Sequence, residues 1–204
     1  MRLFAAVFPP EPVLDHLALA LDAVGAGLTL PDAPDGRRGS PRWVPRDAQH
    51  LTLAFYADVP EGAVPELAES LHDVARATSP FELRLRGAGS FAGRVLWVGV
   101  HGATDTLREL AEGALAASVR EVPGDVRPHR AHLTVARARW GRSKVSRSRD
   151  AYRSQLDPAA RALAVYSGPA WTVDGFSLVE SRPGEGPQGG PLYRELERWA
   201  FAPS

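Results

Sequence analysis

The chain contains no cysteine. Disulfides, thiolate-held zinc, iron–sulfur clusters and thiol nucleophiles are therefore excluded. Lysine is almost missing: of the 24 basic residues only Lys144 is lysine, and the rest are arginine. Cationic chemistry thus rests on planar guanidinium forks, which match phosphate and carboxylate. Net charge is absent as well, with 24 basic against 24 acidic residues. That balance argues against a uniformly basic nucleic-acid coat or a polybasic membrane binder. No apolar run approaches a membrane span, and the one at the N-terminus, within Met1 to Pro10, is too short for a secretory signal. The expectation is a cytoplasmic protein that does not contact membranes.

What is present is globular. The chain has 204 residues, 44% hydrophobic and 24% charged, enough for one large domain or two small lobes. Arg2 to Phe8 reads as a buried strand stopped by Pro9-Pro10, and Val13, Leu14, Leu17, Leu21 and Val24 follow helical spacing. Residues 26–42 read as a loop. His50 to Tyr56 is a strand, and Val64, Leu67, Leu71 and Val74 mark a helix. Phe81, Leu83 and Leu85 alternate with charged residues, the period of a strand with one wet face. The order then recurs: a strand from Arg94 to Val100, a helix through Leu107, Leu110, Ala114 and Leu115, and a strand from His132 to Arg137. A helix over 147–164 follows, restarted at Asp157-Pro158. Trp171 to Glu180 reads as one strand, with Leu192 to Phe201 as its hairpin partner.

The leading strands begin at Arg2 and Arg94, 92 residues apart; the His-Leu-Thr strands begin at His50 and His132, 82 apart. The sequence is thus read as an α+β duplication. Two lobes, approximately 1–90 and 91–204, each carry an antiparallel sheet and flanking helices and face a central groove. An exchange of terminal strands between them is left open.

The repeated tripeptide carries the chemistry. On a strand, residues two apart share a face. His50 therefore lies beside Thr52, and His132 beside Thr134, with Leu51 and Leu133 pointing inward. Two imidazoles and two hydroxyls around one volume suit in-line displacement at phosphorus: one histidine takes a proton from water and the other gives one to the leaving oxygen. The threonine hydroxyls can donate to the phosphoryl oxygens. Arg137 is the candidate phosphate clamp. It lies five residues after His132, the wrong parity for a regular strand, so it reaches the groove only if the strand ends or bulges first. Phe55 holds the same place in the first copy and is the candidate base-stacking face. A single histidine or threonine on a strand is unremarkable; matched copies at matched places are the signal. A metal site competes poorly, because neither motif contains an acid and no H-E-x-x-H pattern is present. No cofactor is expected.

At these residues the chain resembles the 2H phosphoesterase superfamily, whose members carry two H-x-T-x motifs. It resembles most the RNA 2′,3′-cyclic phosphodiesterase branch, also called "2′-5′ RNA ligase". The resemblance runs through Arg2 to Val7, Arg42-Trp43-Val44-Pro45, the two motifs, Arg94 to Val100, and Leu178 to Ser181 with Tyr193. It implies a bilobal fold with pseudo-twofold symmetry. It implies metal-independent opening of a terminal 2′,3′-cyclic phosphate on RNA to a 2′-phosphate. His50 would be the general acid and His132 the general base, with Thr52, Thr134 and Arg137 on the phosphate and Phe55 on the terminal base. Partners would be RNA ends or small cyclic nucleotides, met by a monomer. Ala131 stands where relatives often have proline, and His129 just upstream is read as a surface residue. His16, His72 and His101 are read as lying outside the site.

The zero net charge conceals an uneven distribution. Between Arg127 and Arg153 there are nine basic residues and one acid, Asp150. The sequence suggests a local RNA track through Arg130, Arg139, Arg142 and Lys144, with Trp43 and Trp140 as aromatic neighbours. Two other readings stay open: the same site acting on 2′-5′ linkages, on ADP-ribose cyclic phosphate or in reverse ligation, and an RNA-end-binding module without turnover.

Overall fold

A computed structural model describes residues 1–25, 41–117, 130–138 and 149–203. β1 (Leu3–Val7) is apolar throughout because both its faces are covered. Leu3, Ala5 and Val7 join the main core, while Phe4 and Ala6 join a smaller cluster with Val179, Phe8 and Tyr193. Pro10 caps α1 (Glu11–Ala23), with Pro12 in its first turn, where a missing N–H costs nothing. Val13, Leu14, Leu17 and Leu21 form its buried stripe. β2 (Arg42–Trp43) is a short strand at the end of the expected 26–42 loop. β3 (Leu51–Tyr56), α2 (Val64–Arg76), β4 (Phe81–Phe91), β5 (Val95–Gly102), α3 (Thr104–Ala116) and β6 (His132–Arg137) follow the sequence reading closely. α4 (Arg149–Ala162), β7 (Ser167–Val173), β8 (Gly175–Arg182) and β9 (Leu192–Ala200) complete the order.

The strands form one antiparallel sheet in the order β7-β4-β5-β6-β3-β1-β8-β9, with β2 beside β6. Its midline is the pair of motif strands, joined through the single register pair Leu51 and Leu133. The two expected sheets are thus one sheet, pinched where the motifs meet. The order reads alike from both ends: each motif strand has its leading strand as outer neighbour, β1 for β3 and β5 for β6. β4 from the first copy lies beside β5, and β8 from the second lies beside β1. Helices α2 and α3 pack on β3, β8 and β9, and α1 and α4 on β4, β5 and β7. Leu51, Leu53, Leu133 and Val135 are buried beneath the helices.

Two elements differ from the sequence reading. The single strand expected from Trp171 to Glu180 is two strands, β7 at one end of the sheet order and β8 next to the last strand at the other, separated at Asp174. The crossing needs Gly175, because a Cβ there would collide with the Trp199 carbonyl. α4 does not restart at Asp157; it runs through Pro158. One lost backbone bond is tolerated there because Leu156 just before it and Leu163 just after the helix are fully packed, at 0% and 2% exposure.

Candidate active site

The groove face is built by bulges. In the β1–β3 pairing Ala5 faces Ala54 but Ala6 faces Thr52, so Leu53 is an extra residue. In the β5–β6 pairing Leu96 faces Ala136 but Trp97 faces Thr134, so Val135 is extra. Each insertion shifts the alternation by one. Leu53 and Ala54, like Val135 and Ala136, are consecutive buried residues, and the next side chain returns to the groove. Phe55 and Arg137 therefore lie on the groove face with the motif residues.

The groove has a volume of about 370 Å³ and is lined by His50, Thr52, Phe55, His132, Thr134, Arg137 and Trp43, among others. All seven were candidates from the sequence. Arg130 is exposed and outside this lining, though its carbonyl takes part below. Arg139, Arg142, Lys144, Trp140 and His129 lie outside the described residues. His72 and His101 are exposed away from the groove; His16 is held at 3.1 Å from the Tyr166 hydroxyl, also away from it. Among the described residues there is no cluster of three or more histidine or acidic side chains able to hold a metal ion. No helix among them is long and apolar enough to cross a membrane.

Both histidines are held in the same way. The Nδ1 of His50 lies 2.8 Å from the Ala48 carbonyl, and the Nδ1 of His132 lies 2.7 Å from the Arg130 carbonyl. A carbonyl only accepts, so each Nδ1 carries the proton and donates it. That leaves Nε2 as the nitrogen through which each ring exchanges a proton. For His50 the turn is itself braced. The Ala48 amide donates to the Pro45 carbonyl at 2.9 Å, and the Gln49 side chain to the Val44 carbonyl at 3.2 Å. Arg46 ties the same turn to α1 through Glu11 and Asp15.

The surroundings of His50 are aromatic. Phe4 stacks on its ring at 4.7 Å, and Phe8 and Tyr193 lie at 5.6 and 5.4 Å. His132 has Phe91 edge-on at 4.9 Å. Burial under its aromatic neighbours disfavours the charged imidazole of His50. The bond to the Ala48 carbonyl is the next largest influence and opposes burial; the charges of Arg137 and then His132 add smaller pushes in the same direction as burial, and the pKa is pushed down to about 4. His50 is therefore neutral at physiological pH in the unliganded protein.

Phe55 is 45% exposed, and the Arg2 guanidinium lies 5.5 Å from its ring centre, an arrangement that stiffens the ring. On the neighbouring strand β5, Trp97 and Gly99 are the register partners of Thr134 and His132. Gly89 lets the Trp97 ring lie against β4, since a Cβ there would sit 2.5 Å from the indole. Residues that the motif reading did not single out also line the groove: Phe4, Arg42 and Tyr193. Phe4 was available from alternation along the first strand, which turns it away from Leu3 and Ala5. Arg42 enters only through the Arg42–Pro45 segment of the family resemblance; strand periodicity gives no signal for it, because its place depends on pairing with a strand far along the chain.

With this geometry in hand, comparisons with known proteins agree. The family described as the 2′-5′ RNA ligase superfamily matches residues 31–185. An RNA 2′,3′-cyclic phosphodiesterase of Thermus thermophilus is 34% identical over 214 residues, covering 98% of this chain and 90% of the relative. A Methanothermobacter thermautotrophicus protein of the same name is 30% identical over 201 residues, covering 97% of both. The crystal structure of TT0787 from Thermus thermophilus superposes with a TM-score of 0.70 at 29% identity, covering 98% of each chain.

Proposed function

The chain belongs to the 2′-5′ RNA ligase superfamily, and from that premise and the paired histidines we propose that it hydrolyses the terminal 2′,3′-cyclic phosphate of RNA to a 2′-phosphate. The observation that carries the mechanism is the matched tethering of His50 and His132, which presents two Nε2 atoms to one groove. Water attacks phosphorus and gives its proton to the Nε2 of His132. The bond from phosphorus to O3′ breaks, and O3′ takes a proton from the Nε2 of His50. The products are a 2′-phosphate and a 3′-hydroxyl, and the two histidines return to their starting states by exchange with solvent. Arg137 binds a phosphoryl oxygen, and Thr52 and Thr134 lie where hydroxyls can donate to the others. Phe55 supplies the face for the terminal base. DNA cannot be a substrate of this kind, because a 2′,3′-cyclic phosphate needs a 2′-hydroxyl.

Giving the acid role to His50 follows the family resemblance and sets a condition. The ring is neutral in the empty groove, so its proton must arrive with the substrate. A bound phosphate anion offsets Arg137 and favours the imidazolium, which makes binding and protonation one linked event. We read the protein as a cytoplasmic monomer, as its sequence suggests.

The test is incubation of the protein with a 2′,3′-cyclic-phosphate oligoribonucleotide in excess EDTA. Conversion to the 2′-phosphate is expected. Binding without conversion would replace this reading with an RNA-end-binding module. Conversion restored only by added zinc or manganese would refute the metal-independent mechanism.

A further inference from the structure

Arg42 and Arg137 are direct register partners across the β2–β6 pair. Side chains at such positions share a face, and like charges placed there repel. Both line the groove, and neither makes an ion pair with another described residue. Asp47 also lines the groove without pairing to either. Both guanidiniums are close enough to oppose the burial that raises the Tyr193 hydroxyl. The Arg42 side chain reaches the chain between β8 and β9 that lines the groove. A Cβ on Gly190 would lie 3.3 Å from its Nη1. Two adjacent cations with no carboxylate paired to them form a receptor for two negative charges, whereas a cyclic phosphodiester supplies only one.

We propose that Arg42 binds the phosphodiester on the 5′ side of the terminal nucleotide, a second phosphate subsite that makes the groove prefer an RNA end to a cyclic mononucleotide. The inference rests on the cyclic-phosphate reading. One anion sits on Arg137 beside the threonines, and the next along the chain sits on Arg42. Charge then matches one to one, and the repulsion built into the register pair is relieved only by a substrate at least two nucleotides long. Gly190 keeps the path beside Arg42 open.

The experiment compares kcat/KM for a dinucleotide ending in a 2′,3′-cyclic phosphate with that for the cyclic mononucleotide, in the wild type and in Arg42→Gln. The ratio of the two should fall by about tenfold in the variant, the lower end for a charge-assisted contact. The log–log salt slope for the dinucleotide should also shrink by about 0.7, one phosphate contact on a single strand. Arg42→Lys keeps the charge and should lower the ratio less than Arg42→Gln does; the reverse order would overturn the subsite. Equal losses on both substrates would also overturn it, by placing Arg42 on the reacting phosphate. A wild type that hydrolyses neither substrate would instead refute the cyclic-phosphate reading on which the subsite rests.

Discussion

Acidification should destabilise the unliganded protein through His50, by an amount that follows from its surroundings. In the unfolded chain a histidine titrates near about 6.5. In the folded protein the ring under Phe4, Phe8 and Tyr193, beside Arg137 and His132, is pushed down to about 4. Between those values the unfolded state holds more protons than the folded one. Stability from this group is therefore complete above the unfolded value and falls as pH drops toward the folded one. At pH 5 the two partition factors differ about 30-fold, or about 2 kcal/mol; by pH 4 the loss reaches about 3 kcal/mol. Water entering the groove screens the ring and trims both figures.

Many groups titrate over this range, so the quantity to measure is a difference. Urea unfolding of the wild type and of His50→Gln at pH 8 and pH 5 isolates the histidine, because glutamine does not titrate. The wild type should lose about 2 kcal/mol more than the variant between the two conditions. An unchanged difference would refute the claim that burial holds His50 neutral. The same ring can be followed by NMR. Its resonance should titrate near 4 in the free protein and move upward when inorganic phosphate occupies the groove. A midpoint unmoved by bound phosphate would leave His50 unprotonated in the complex, and the acid role would pass to His132.

Two further outcomes test the site and the fold. His50→Ala and His132→Ala should each lower kcat by about 10²- to 10⁴-fold with the circular dichroism spectrum unchanged; substantial turnover in either would sink the two-histidine scheme. Tyr56→Phe removes the buried hydroxyl that donates at 2.6 Å to the Ala114 carbonyl, joining β3 to α3. It should cost about 1 kcal/mol in urea unfolding, and an unchanged midpoint would show that water replaces the bond.

Elements with local causes were legible in the sequence. The stripe Val13, Leu14, Leu17 and Leu21 and the stop at Pro9-Pro10 need no distant partner to act, and both stand where periodicity placed them. The division of Trp171–Glu180 into two strands was not legible, because what forbids a Cβ at Gly175 is the backbone of Trp199, which arrives only on folding. The passage of α4 through Pro158 has the same origin. Local chemistry argues for a restart, and the burial of Leu156 and Leu163 outweighs it.

The site shows where the boundary falls. His50 with Thr52, and His132 with Thr134, follow from strand parity alone. Phe55 and Arg137 violate that parity, and the sequence could state only the condition for their reaching the groove: a bulge. The bulges lie at Leu53 and Val135, the same step after each histidine. Their matched position makes them part of the repeated unit rather than a local defect. On one motif strand the shift delivers a guanidinium to the groove; on the other it delivers an aromatic face. The two motif strands hold their histidines by matched Nδ1 tethers, and the residue five places after each histidine differs between them. Arg42 adds a second layer of asymmetry. It stands on the short first-half strand β2 against the bulged end of β6, whereas no described short strand of the second half stands in the same way against β3. The basic residues that converge on the groove are thus concentrated at one end of it. If a substrate is held there by two phosphates, as proposed, its terminal ring meets the histidines in only one direction, and a nearly symmetric pair of imidazoles would then divide into one acid and one base.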